Sequence, residues 1–186
     1  ITKSLLMPLI MGCYLLLSPS PNPLVLLAQV FGWLGDLLLL SKRKRNFVLG
    51  AVSFLVGHGF YVAAMLLLTV KGHPPGLLAL VLLFLAVPLA AALYFRKELA
   101  KERVLKAMPV YFGVLGALGL AAAASVWTDP RPGTVCLLAG ALLFLISDSI
   151  LVTLMLKKTR AASYGSFWVM LTYILAQALL ATGFVI

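Results

Sequence analysis

The sequence predicts an all-α, polytopic transmembrane helical bundle, and three observations carry that prediction. Of the 186 residues, 63% are hydrophobic and only 11% are charged, against ~45–50% and ~25% in soluble domains. The apolar residues come in runs close to the roughly 20 residues that a bilayer-crossing helix needs. The basic residues gather in short clusters between those runs. So few charged side chains cannot coat that much apolar surface in water, so the surplus faces lipid. The same composition excludes disorder. A formal net charge of +10 would point to nucleic acid in a soluble chain, but clustered between apolar runs it reads as loops beside a membrane. No nucleic-acid partner is expected.

Seven spans follow in order, at about 3–18, 23–41, 46–70, 77–95, 104–126, 134–156 and 164–186. The first opens at Lys3 and ends in Ser18-Pro19-Ser20-Pro21-Asn22-Pro23, a run of turn residues. The second stops at the basic cluster Lys42 to Arg45, and the third at Gly72-His73-Pro74-Pro75-Gly76. The fourth gives way to Arg96 to Arg103, the fifth to Asp129-Pro130-Arg131-Pro132-Gly133, and the sixth to Lys157 to Arg160. Helix is the state expected for all seven, because period-two alternation is absent and lipid leaves no backbone group unpaired. Residues 1–186 form a single integral-membrane domain, with no room for a soluble one. The chain begins with Ile1, so an N-terminal helix is expected to be missing, which would make eight spans in the complete protein. No cleavable signal peptide is recognisable.

The distribution of Lys and Arg sets the orientation. Eleven fall in the loops after spans two, four and six, and two, Lys71 and Arg131, in the loops after spans one, three and five. The first set is therefore expected to be cytoplasmic. A bacterial inner membrane is preferred to the endoplasmic reticulum.

Only two carboxylates lie within spans, Asp36 and Asp148. An ionised carboxylate at mid-bilayer costs at least ~2.5–3.5 kcal/mol, so each needs a protein-lined interior or a water pocket. Asp36 precedes Lys42 by roughly 9 Å of helix and Asp148 precedes Lys157 by roughly 13 Å, at about 1.5 Å per residue. The two acids thus share a depth in the cytoplasmic half. Gln29, Gly32 and Asp36 follow one helical face, with Gly35 permitting another backbone to approach closely. Gly140, Phe144, Ser147 and Asp148 form a comparable stripe. His58 and Tyr61 lie one turn apart, as do Tyr173 and Gln177, and Tyr111 stands early in span five. Each of these alone has an ordinary structural role, but their collection at cytoplasmic to middle depth on five spans points to a site.

Other features read as structural. Gly113, Gly116 and Gly119 with Ala121 to Ala124 make a small-residue surface for helix contact. Cys13 and Cys136 lie in apolar runs, giving no disulfide framework. The chain has two histidines, one of them (His73) in a loop, so the three protein ligands of a zinc site are hard to assemble and no metal is expected. Gly-x-Ser-x-Gly does not occur, and span seven has no lysine for a retinal Schiff base. Two carboxylates in a partly dry site suit acid and base work: one stays protonated while the other stays ionised and steadies positive charge or orients water.

The motifs Gly35-Asp36-x-x-Leu39, His58-x-x-Tyr61, Gly140-x-x-x-Phe144-x-x-Ser147-Asp148 and Tyr173-x-x-Ala176-Gln177 resemble, in order and spacing, those of the YhhN-like family, the lysoplasmalogenases. Lys3 resembles a family lysine, although Pro8 stands later than the proline that often follows it. The resemblance implies hydrolysis of the vinyl ether bond of lysoplasmalogens to a fatty aldehyde and glycerophosphoethanolamine or glycerophosphocholine, without a cofactor. It gives Asp36 and Asp148 the catalytic roles. Substrate binding falls to Lys3 (at the phosphate), His58, Tyr61, Tyr111, Ser147, Tyr173 and Gln177. Expected partners are the lysophospholipid substrate and membrane lipid. Two other readings stay open: a proton-coupled transporter using the two aspartates as a relay, and a lipid-binding scaffold without chemistry. The concentration of intramembrane polar residues on the cytoplasmic side leans against transport.

Overall fold

The computed structural model describes residues 2–41, 43–69, 108–156 and 162–186. These form six α-helices: α1 (Thr2–Leu17), α2 (Pro23–Leu39), α3 (Lys44–Thr69), α4 (Met108–Thr128), α5 (Pro132–Leu156) and α6 (Ala162–Gly183). No strand occurs among the described residues. Six of the seven expected spans therefore appear as helices, with boundaries shifted by a few residues. The fourth, 77–95, lies outside the described residues, as do the basic loops after spans four and six.

Local chemistry explains the helix ends. Asn22 caps α2, its side-chain oxygen accepting from the Leu24 N–H at 2.9 Å, while Pro23 at the first helical position lacks the N–H that would otherwise go unpaired. The Asn22 N–H is itself held by the buried Tyr14 hydroxyl at 2.9 Å, which folds α1 back on α2. Between α4 and α5, the Thr134 hydroxyl donates to the Asp129 carbonyl (2.7 Å) and accepts from the Arg131 N–H (3.1 Å). Such short connections place α1–α2, α2–α3 and α4–α5 antiparallel.

Each helix packs on the next in the sequence of described elements, and α1 also packs on α6, so the six close into a ring. Small residues let the neighbours approach. At Gly57 of α3 a Cβ would stand 3.0 Å from the Ala28 carbonyl of α2, and at Gly140 of α5 it would stand 3.0 Å from the Ala176 carbonyl of α6. The core inside the ring includes Met7, Phe54, Leu115, Leu118, Leu137, Phe144 and Leu180. Gly113, Gly116, Ala121, Ala122 and Ala124 of α4 are buried, as a helix-contact surface requires.

The outer surface is apolar as well. Leu9, Leu16, Leu67, Val110, Leu142, Ile146 and Leu175 are all exposed, an arrangement stable in lipid and not in water. Residues Arg45–Leu68, Val110–Thr128 and Pro132–Leu151 are helices long and apolar enough to cross a membrane, and α1, α2 and α6 contribute shorter apolar segments. These are the properties of an integral membrane protein.

Candidate active site

The polar side chains that the ring encloses come from α2 to α6. Asp36 sits one turn before the end of α2 and is buried, on the same face as Val25, Ala28, Gln29 and Gly32. Asp148 lies in the second half of α5 and is buried beside Ser147 and Phe144. Gly35 admits close neighbours of both kinds: a Cβ there would stand 2.8–2.9 Å from the Phe54 ring of α3, and a Cβ at Gly50 of α3 would stand 3.3 Å from the Gly35 carbonyl.

Three hydrogen bonds join these groups across helices. The Tyr173 hydroxyl of α6 donates to Oδ2 of Asp36 at 2.8 Å. The Tyr111 hydroxyl, in the first turn of α4, donates to Oδ2 of Asp148. The Tyr61 hydroxyl of α3 donates to Oε1 of Gln177 on α6 at 3.0 Å. Asp148 is also within electrostatic reach of the Tyr173 hydroxyl. Hydrogen bonds to a carboxylate are about twice as strong as neutral ones, and each acid thereby gains a fixed oxygen and a partner in place of water.

An aromatic wall fixes the tyrosines. The Phe144 ring meets the edge of Tyr173 with centroids 5.5 Å apart, and Phe54 meets Tyr173 at 5.9 Å, both near perpendicular. His58 packs edge to face on Phe144 at 4.2 Å and on Tyr111 at 6.4 Å. Its ring nitrogens find no hydrogen-bond partner among the described residues. The Phe54 carbonyl one turn back is close enough to interact but not in hydrogen-bonding geometry. Edge-to-face contacts of this kind hold rings in one orientation.

Of the nine site residues expected from sequence, the structure brings Asp36, Asp148, His58, Tyr61, Tyr111, Tyr173, Gln177 and Ser147 together. The Ser147 hydroxyl donates to the Val169 carbonyl at 3.0 Å, tying α5 to α6 beside Asp148. Lys3 lies in the first turn of α1, and its side chain is outside the described residues. Two further residues join the nine. Phe54 lies one turn before His58, and its ring packs against both Gly35 and Tyr173. Gln29 was legible as part of the Asp36 face; the structure buries it completely.

Gln29 also extends the polar interior. It stands two turns before Asp36, about 10 Å along the axis, and Tyr14 is buried beyond it. The polar trail therefore continues deeper into the ring than the concentration at one end predicted from sequence. Among the described residues no three His, Cys, Asp or Glu side chains converge as metal ligands would. The arrangement supplies two hydrogen-bonded carboxyl groups, a buried imidazole and two carboxamides, a set suited to moving a proton and steadying a cation in a dry pocket.

Comparison with known proteins places this arrangement in context. A model of the YhhN family matches residues 1–184. The chain is 32% identical to lysoplasmalogenase TMEM86A of Bos taurus over 177 residues, which span 90% of this chain and 67% of that protein. No solved structure matches.

Proposed function

The chain belongs to the YhhN family, and from that premise we propose that it is a lysoplasmalogenase, hydrolysing the vinyl ether bond of a lysophospholipid within a seven-span membrane domain. The observation that carries the reading is the enclosure of two aspartates in an apolar ring, each accepting from a tyrosine on another helix. Its support from comparison is the lysoplasmalogenase relative.

The chemistry follows from the bond. A carboxylic acid of the Asp36–Asp148 pair gives its proton to the β-carbon of the vinyl ether, and the double-bond electrons form the new C–H bond. The α-carbon becomes an oxocarbenium ion, which the other carboxylate stabilises. Water adds to that carbon and returns a proton to a carboxylate, giving a hemiacetal. Its collapse breaks the carbon–oxygen bond to glycerol, so one water is consumed and one aldehyde and one glycerophospho-alcohol leave. The logic resembles glycoside hydrolysis, in which paired carboxyl groups flank an oxocarbenium-like transition state.

In this reading His58, Tyr111, Tyr173 and Gln177 orient water and the glycerol oxygens. Tyr61 acts through Gln177, Ser147 lies beside Asp148 at the substrate, and Lys3 meets the phosphate. The alkenyl chain lies between helices, and the headgroup faces the cytoplasmic side, towards Arg43 and Arg45. No cofactor is needed, and a bacterial inner membrane is the host.

The test is aldehyde release from lysoplasmenylethanolamine in detergent micelles, with an acyl lysophospholipid as control. Wild type should release aldehyde only from the vinyl ether, while Asp36→Asn and Asp148→Asn fold but lose activity. A folded wild type that releases none overturns the reading.

A further inference from the structure

The Gln29 carboxamide has no role in the mechanism, yet it is 1% exposed and neither of its polar atoms finds a hydrogen-bond partner among the described residues. The Tyr61 hydroxyl is near enough to interact with it. That hydroxyl donates to Gln177 Oε1, which turns Gln177 Nε2 towards α2, 3.4 Å from where a Gly32 Cβ would stand. Three neutral polar side chains from α2, α3 and α6 thus meet one layer below the Asp36–Tyr173 pair.

We propose that Gln29, Tyr61 and Gln177 form a buried water-binding station that supplies the acid pair with the water consumed in hydrolysis; this rests on the function proposed above. The chemistry selects the occupant. None of the three groups is charged, so nothing there holds a phosphate or an ammonium. An alkenyl chain would leave the amide's two donors and its carbonyl unpaired, an arrangement that buried polar groups avoid by taking up water. Gly32 is where the two layers meet: a Cβ there would stand 3.3 Å from the Met7 methyl, 3.4 Å from Gln177 Nε2 and 3.8 Å from the Tyr173 hydroxyl, so the station and the Asp36 partner close on the same backbone position. The station lies on the side of Asp36 away from the end of α2 that leads to Arg43 and Arg45. Water and lipid therefore reach the acid pair from different sides.

Two measurements on the whole chain test this. X-ray radiolysis makes hydroxyl radicals from bound water in place, and the oxidation of Tyr61 is read by mass spectrometry. Wild-type Tyr61 should be oxidised despite its burial, and the labelling should fall several-fold in Gln29→Leu. An unlabelled Tyr61 in wild type overturns the station whether or not the protein is an enzyme. In the aldehyde assay, Gln29→Leu should lower kcat about tenfold, the equivalent of one hydrogen bond. KM for lysoplasmenylethanolamine should stay within about twofold, and Gln29→Asn should recover part of the loss. A raised KM with unchanged kcat would instead put a lipid hydroxyl at Gln29 and overturn the proposal. A wild type that labels Tyr61 but makes no aldehyde would sink the enzymatic reading and leave the water site standing.

Discussion

A Cβ at Gly35 would stand 2.8 Å from the Phe54 ring, and that ring in turn braces Tyr173, the partner of Asp36. Gly35→Ala therefore forces Phe54 to move, and Phe54 cannot move without releasing Tyr173. The substitution should cost about 1–3 kcal/mol of stability, the usual penalty of overpacking, and should lower kcat in addition. Gly59 faces open space, so Gly59→Ala should leave both unchanged. Thermal unfolding in detergent and aldehyde release, measured on the same two variants, check the pair.

Removing the hydroxyl partners tests the acids without touching them. Tyr173→Phe and Tyr111→Phe each delete a hydrogen bond to a carboxylate while keeping the ring that packs on Phe144 or His58. Such bonds are worth about 1.5–3 kcal/mol, which sets an expected fall in kcat of roughly 10- to 100-fold. If the two tyrosines serve one proton-transfer unit, the double variant should lose less than the product of the single losses. Equal activity in wild type and both variants would separate the hydrogen bonds from the chemistry.

Ser53 provides the opposite case. Its hydroxyl donates to the Phe31 carbonyl at 2.6 Å and ties α3 to α2. Ser53→Ala should cost about 1 kcal/mol of stability and leave kcat and KM alone. A changed KM would bring this contact into the substrate path.

Trp127 closes α4 with 78% of its surface exposed, and Trp168 is exposed near the start of α6. Tryptophan in such positions seeks the headgroup region of a bilayer. A single-tryptophan protein keeping Trp127 should be quenched more strongly by lipids labelled near the headgroup than by lipids labelled deep in the chains. Stronger quenching from the deep label would shift the slab along α4 and with it the depth assigned to the acids.

Much of this was legible in the sequence because lipid imposes simple rules. Six of the expected apolar runs coincide with helices since a long apolar run has no other way to satisfy its backbone, and Asn22-Pro23 marked a helix start through ordinary capping chemistry. Asp36 and Asp148 stood out because a carboxylate in an apolar run has no cheap explanation. Less legible were the contacts that depend on which helices meet. Nothing at the level of spacing pairs Tyr173 with Asp36, 137 residues away, or puts the Phe54 ring against Gly35. Gln29 was visible as a face residue, but its lack of partners among the described residues is a property of three helices together.

The cross-helix bonds also decide what a piece of this chain can do. Residues 2–69 carry Asp36 and Tyr61, while residues 108–186 carry Asp148, Tyr111, Tyr173 and Gln177. Neither half holds both acids, and two of the three bonds run between the halves. Expressed apart, the halves should be silent. Brought together in one membrane, any aldehyde they release would report that the ring had closed, so turnover becomes a direct reporter of assembly.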